Sequence, residues 1–211
     1  MPKCCIDHII VTAPSLDVGA EYVRQALGVA PQTGGEHPRM GTHNLLLRLG
    51  DSVFLEVISV NPNVPAPTRP RWFALDTLRP SSMPRLSAWV VRSGDIHATA
   101  AASSEALGNI EPMSRGVFDW LITIPADGLP PLNGAAPALI EWHSAEHPAA
   151  NLEDHGLSLL RLELRHPEAV RVSRLLQSIG FADAVAVLPL GCADEVRMVA
   201  HINTPLGVRV L

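Results

Sequence analysis

Three times along this chain an apolar strand gives way to a helix closed by glycine, and short strands follow. That repeated order constrains the fold more than any single motif. The first unit begins with a strand over 4–11, broken by Pro14; Ser15 is placed as an N-cap. Ala20, Val23 and Leu27 then recur at helical spacing over 16–27, and Gly28 closes the helix. Strands over 42–49 and 53–60 follow, joined at Gly50-Asp51 in a hairpin turn. Residues 32–40, with paired Gly34 and Gly35, read as turn. A proline-rich connector covers 61–84, with a short helix over 72–78. The second unit has a strand over 86–91, an alanine-rich helix over 95–107 and strands over 117–124 and 138–143. The third has a strand over 157–164, then a helical stripe of Val172, Leu175, Leu176 and Ile179 closed by Gly180. Short strands over 184–188, 196–202 and 207–211 complete it. The chain is thus a degenerate repeat of roughly 60–80 residues per unit, carried by element order rather than residue identity. The class is α+β.

Two carboxylates interrupt these strands. Glu56 lies within Val53-Phe54-Leu55-Glu56-Val57-Ile58 and Glu141 within Ala138-Leu139-Ile140-Glu141-Trp142. Strands alternate faces with period two, so Phe54, Glu56 and Ile58 share one face, Leu55 and Val57 the other. Both faces are apolar, and Glu56 is expected to be buried whichever way the strand turns. A buried carboxylate is costly unless paired, hydrogen-bonded, protonated or bound to a metal, which makes such residues leads to a site. In Ile6-Asp7-His8-Ile9-Ile10-Val11, His8 is expected to share a face with Ile6 and Ile10.

Composition excludes some functions. A chain of 211 residues, 47% hydrophobic, can bury one substantial core or two small similar units sharing one. A formal net charge of -5 provides no basic stripe for nucleic acid. No apolar run reaches the roughly 18–20 residues that span a bilayer. The acidic start around Asp7 lacks the apolar stretch of a secretory signal, and three cysteines (Cys4, Cys5 and Cys192) suit reduced thiols packed as small apolar residues. The expected setting is cytoplasmic.

The ordered set Ile6-Asp7-His8-Ile9-Ile10-Val11, Gly41-Thr42-His43-Asn44-Leu45-Leu46, Phe54-Leu55-Glu56-Val57-Ile58, Arg71-Trp72-Phe73-Ala74-Leu75 and Ile140-Glu141-Trp142 with His147-Pro148 resembles the vicinal oxygen chelate superfamily. Its nearest branch is the glyoxalase-like domains. The resemblance implies βαβββ modules, the glyoxalase/bleomycin resistance/dihydroxybiphenyl dioxygenase fold, paired into a cupped mixed sheet with helices outside. The modules would be 4–61 and 85–143, with a partial third over 157–211, in a single domain. It also implies a divalent metal (Zn, Mn, Fe, Ni or Co) held by His8, Glu56 and Glu141, with His43 a further candidate. The first-strand position of the second module falls at Ala88 or Trp89, neither of which can ligate, so at most three of the four usual ligand positions are filled.

The expected chemistry is that of a lyase, isomerase or dioxygenase-like enzyme: a Lewis acid holds a small oxygenated substrate and stabilises an enolate or oxyanion, with Glu56 or Glu141 as base. Asn44, Arg115, Trp120 and Trp142 are the substrate-binding candidates, Arg115 through its planar fork and the tryptophans as apolar wall. Against these stand a metal-free buried His8–Glu56 pair, a solvated Glu141, a surface Arg115 and tryptophans that merely fill core. His143, His147 and His155 are read as mostly exposed loop residues. The competing function is metal-free sequestration of a small molecule, as in bleomycin-resistance proteins. A small-molecule partner and a monomer or homodimer are expected.

Overall fold

The computed structural model describes residues 4–191 and 195–211; Cys192 lies outside the described residues. The first repeat comprises β1 (Cys5–Thr12), α1 (Leu16–Leu27), β2 (Gln32–His37), β3 (Thr42–Arg48) and β4 (Phe54–Val60). The second comprises β5 (Arg85–Arg92), α2 (Ile96–Ala102), β6 (Asn109–Arg115), β7 (Phe118–Ile124) and β8 (Ala138–Trp142). Together they form one eight-stranded sheet of order β2-β3-β4-β1-β5-β8-β7-β6. In each repeat the first strand pairs in parallel with the last, and the two first strands meet antiparallel at the centre. The sheet curls strongly into a half-barrel with helices outside. This is the cupped α+β architecture implied by the resemblance.

Two strands were not legible as strands. β2 holds the Gly34-Gly35 pair and β6 holds Pro112. Both lie at sheet edges, where one side of the backbone needs no partner, so glycine and proline are tolerated. The two edges approach each other across the cup. Arg39 donates to the Pro112 carbonyl at 2.9 Å, and Glu111 on β6 receives both Arg39 and Arg69.

The third unit comprises β9 (Ser158–His166), α3 (Ala169–Ser178), β10 (Val185–Pro189), β11 (Arg197–Thr204) and β12 (Gly207–Val210). Its element order matches the other two, but its pairing differs. β9 pairs in parallel with β10, the strand directly after the helix, in a separate sheet of order β10-β9-β11-β12. Leu162, Leu164, Val172, Leu175 and Ile202 join Ile9, Val11, Leu55, Val57 and Trp89 in the main core. This core fills the outer side of the half-barrel, with α1 and α2 contributing Val23, Leu27 and Ile96. A second apolar cluster lines the inner side, including Ile10, Ile58, Ala88, Val90, Trp120, Ile122 and Ile140.

Local sequence explains the helix ends. The Ser15 hydroxyl accepts from Val18 N at 3.4 Å, and Gly28 adopts φ 80° as its N–H caps the Arg24 carbonyl. The alanine-rich helix ends at Ala102, earlier than its composition predicts. Among the described residues no helix is long and apolar enough to cross a membrane.

Candidate functional site

The site grows from an irregularity in β1. Ile6 pairs with Val91 and His8 with Val90, which leaves Asp7 as an extra residue in the ladder. Such a bulge re-aims side chains. Ile6 stays in the outer core, while His8 turns into the cup. The expectation that His8 and Ile6 share a face is therefore wrong, because alternation restarts at the bulge.

The same bulge lets neighbours meet that a regular strand would hold on opposite faces. Asp7 is fully buried, and its Oδ1 lies 2.6 Å from His8 Nδ1. Its Oδ2 receives Trp142 Nε1–H at 2.8 Å and sits 2.9 Å from His147 Nε2. Burial alone pushes the Asp7 carboxyl up, but the hydrogen bonds and charges of His147 and His8 reverse this and hold it well below the usual carboxylate range. With Nδ1 bound to Asp7, His8 presents Nε2 to the cup.

Glu56 faces it. β4 alternates as predicted: Leu55 and Val57 enter the outer core, and Glu56 points inward, 6% exposed. Its Oε2 is 3.6 Å from His8 Nε2, just outside hydrogen-bond range. Its Oε1 accepts from Asn44 Nδ2 at 2.5 Å. Asn44 stands opposite Ile58 on β3, a diagonal step from Glu56 on the same face. The Asn44 Oδ1 accepts from Gly35 N at 2.8 Å and from Arg115 Nη1 at 3.1 Å. The glycine pair makes this possible. A Cβ on Gly34 would stand 2.1 Å from Asn44 Oδ1, and one on Gly35 would stand 2.7 Å from Arg115 Cδ.

His8, Glu56, Asn44, Arg115, Trp120 and Trp142 therefore line one narrow cavity. Phe54 stacks on the His8 ring at 4.5 Å between centroids. Trp72 and Phe73 from the proline-rich connector form another wall, and Phe73 and Ala74 hold consecutive left-handed backbone conformations, φ 55° and 56°. His37, read from sequence as part of a turn, is buried against Trp72 and Trp120. Its burial lowers its pKa from 6.5 to about 4, against the opposing pull of the Glu56 charge.

Two expected ligands lie elsewhere. Glu141 alternates with inward Ile140 and so points outward, where its Oε2 accepts Ile96 N at 2.7 Å, at the start of α2. His43 alternates with inward Asn44 and lies on the outer side, within electrostatic reach of Asp17 on α1. The second repeat faces the cavity with Ile122, Ile140 and the two tryptophans, besides Arg115. Two donors thus converge, His8 Nε2 and one carboxylate, beside a guanidinium. Among the described residues no three His, Cys, Asp or Glu side chains lie close enough to hold an ion. The set does not fit a metal centre of three or four protein ligands. His147, expected in solvent, is half-buried on Asp7.

The family model for the glyoxalase-like domain matches residues 6–180. The chain belongs to this family, part of the vicinal oxygen chelate superfamily. No curated protein matches the sequence. Among solved structures, this glyoxalase-like domain is similar to a hypothetical protein from Staphylococcus aureus, with 14% identity, a TM-score of 0.60 and coverage of 94% of this chain and 80% of that one. That likeness is one of fold. Methylmalonyl-CoA epimerase from Mycobacterium tuberculosis aligns at 16% identity and TM-score 0.43, over 69% of this chain and 91% of that one. A variant of the Streptomyces coelicolor epimerase bound to 2-nitronate-propionyl-CoA aligns at 20% identity and TM-score 0.44, over 67% of this chain and 95% of that one.

Proposed function

We propose that this domain is an enzyme of the vicinal-oxygen-chelate type that moves a proton on a small oxygenated substrate, in an isomerase- or lyase-like step. The carrying observation is the buried Glu56 carboxylate, fixed by Asn44 and set 3.6 Å from His8 Nε2 inside an aromatic cup. Glu56 is assigned as the base that takes a proton from carbon next to a carbonyl. The electron pair moves onto the carbonyl oxygen, and the developing charge is met by protonated His8 Nε2 and the Arg115 guanidinium. His8 then returns a proton from Nε2, and the Asp7 carboxylate, bound at Nδ1, orients the ring and supports its doubly protonated form. Asn44 positions Glu56, and Trp120 and Trp142 exclude water.

A Lewis acid would supply the same charge stabilisation in relatives that hold a metal. Here two protein donors are too few to define such a centre, and the proton transfers are assigned to the side chains themselves. Sequestration of a small molecule would need the cup without the dyad.

The test is solvent exchange. Small 2-oxo acids and 2-hydroxy ketones are incubated in D₂O with protein stripped of metal and with protein resupplied with Zn, Mn, Fe, Ni or Co. Loss of the carbon-bound proton is followed by NMR. We expect exchange without added metal, falling by roughly 100-fold or more in Glu56→Gln and in His8→Gln. Compounds that bind without exchanging would overturn the enzyme reading in favour of sequestration. Exchange that appears only with metal would overturn the side-chain mechanism.

A further inference from the structure

Two polar groups in the cavity lack a protein partner of the kind their chemistry asks for. Arg115 enters from β6 and makes a side-chain hydrogen bond to the neutral Asn44 Oδ1, with its Cζ 6.0 Å from the Phe118 ring centroid. Among the described residues no carboxylate lies within ion-pair distance of it. The nearby β6 carboxylate, Glu111, is already bound by Arg39 and Arg69. Burial lowers the Arg115 pKa from its ordinary value, with the Glu56 charge pulling the other way. The second group is the Trp120 Nε1–H, which is buried with no acceptor. A buried donor without an acceptor is costly and calls for a partner. Both residues line the same space.

A carboxylate answers both, since it is planar, anionic and rich in lone pairs, and it matches a guanidinium fork. The remaining walls are aromatic. Trp120 and Trp142 lie 5.1 Å apart, Trp72 and Phe73 lie 5.4 Å apart, and Phe54 backs His8. Such walls receive a flat ring by stacking or edge contact. We infer that the substrate is a small aryl monocarboxylate, its carboxylate received by Arg115 and Trp120 and its ring by the aromatic walls. This rests on the reading of the cavity as the reaction site and adds to it the substrate class.

Binding separates this inference from the reaction itself. Affinities for phenylacetate, neutral phenylacetamide and acetate are measured by calorimetry on the wild type, Arg115→Gln, Trp120→Phe and Glu56→Gln. Phenylacetate is expected to bind at least about tenfold more tightly than either of the others. Arg115→Gln should weaken it by about 10–100-fold, and Trp120→Phe, which keeps a ring but loses the N–H, by about 3–10-fold. Glu56→Gln should keep the binding while losing exchange. Equal affinity for acid and amide, no saturable binding by folded wild type, or indifference to both the Arg115 and Trp120 changes would each overturn the inference. Binding retained with no exchange in the wild type sinks the proposed reaction alone. Exchange on hydroxy ketones without any preference for carboxylates sinks the substrate class alone.

Discussion

His8 turns its Nδ1 to the Asp7 carboxylate at 2.6 Å, and that bond decides which nitrogen meets Glu56. The two residues are adjacent in sequence, and only the bulge at Asp7 brings them together. Asp7→Asn replaces the carboxylate at His8 Nδ1 with a neutral amide, so the doubly protonated ring used in the proposed reaction loses its counter-charge. Exchange activity should fall by roughly 10²–10⁴-fold, as when the orienting carboxylate of a catalytic triad is neutralised. Stability should fall by about 3 kcal/mol, because a neutral amide offers one acceptor oxygen where His8, His147 and Trp142 now use two charged ones. ¹⁵N shifts of the His8 ring distinguish the roles. Full activity with unchanged His8 ring shifts would make Asp7 merely structural.

Glu141 provides the opposite case. Its carboxylate receives the Ile96 N–H at the start of α2 and lies outside the cavity. Glu141→Ala is expected to cost about 1 kcal/mol in urea unfolding, the usual effect of losing a helix cap. It should leave exchange rates within about twofold of wild type, whereas loss of turnover on the scale of Glu56→Gln would return Glu141 to the site.

The contrast between these two glutamates shows what was legible. Both sit mid-strand among apolar residues, and period two correctly put Glu56 opposite Leu55 and Val57. It could not say which face of β8 is the inner one, and Ile140 rather than Glu141 takes that side. Asn44, Arg115, Trp120 and Trp142 do reach one cavity with His8 and Glu56, although they come from four strands. Asp7 and His37 were missed for different reasons. No local pattern announces a one-residue bulge, and β2 is a polar edge strand with two glycines that resembles a turn. The third unit repeats the element order but pairs β9 with β10, because order along the chain leaves the choice of neighbour open.

His37 predicts a pH dependence. Its pKa falls to about 4 in the folded protein, against about 6.5 unfolded. Between those values the unfolded chain binds the extra proton, so stability rises with pH through this window and is lost as pH falls from 6.5 toward 4. The loss should approach about 3 kcal/mol across the window, at up to about 1.4 kcal/mol per pH unit. Urea unfolding at pH 7, 5.5 and 4.5 measures it, and His37→Asn should flatten the slope. Asp7 acts separately, since its depressed pKa withdraws stability only below its unfolded value of about 3.9. A slope unchanged in His37→Asn would assign the acid sensitivity to other groups.

Gly34 tests whether the Asn44–Glu56 bond depends on the edge strand. A Cβ there would meet Asn44 Oδ1 at 2.1 Å and its backbone oxygen at 3.0 Å. Asn44 is held in the β3–β4 ladder while Gly34 lies in the irregular stretch between Thr33 and Glu36 of the edge strand, so the strand and the Asn44 side chain are expected to part. It would release Glu56 Oε1 and Arg115 together. Gly34→Ala is expected to cost about 1–3 kcal/mol as an overpacked site. Exchange should fall by at least about tenfold, since freeing Glu56 by even a fraction of an ångström spoils its approach to carbon. Gly28→Ala is the control. That position has open space around it but a positive φ, so it should lose about 1 kcal/mol of stability with exchange unchanged. If Gly34→Ala kept wild-type exchange while Gly28→Ala behaved as expected, Asn44 would have no part in positioning Glu56.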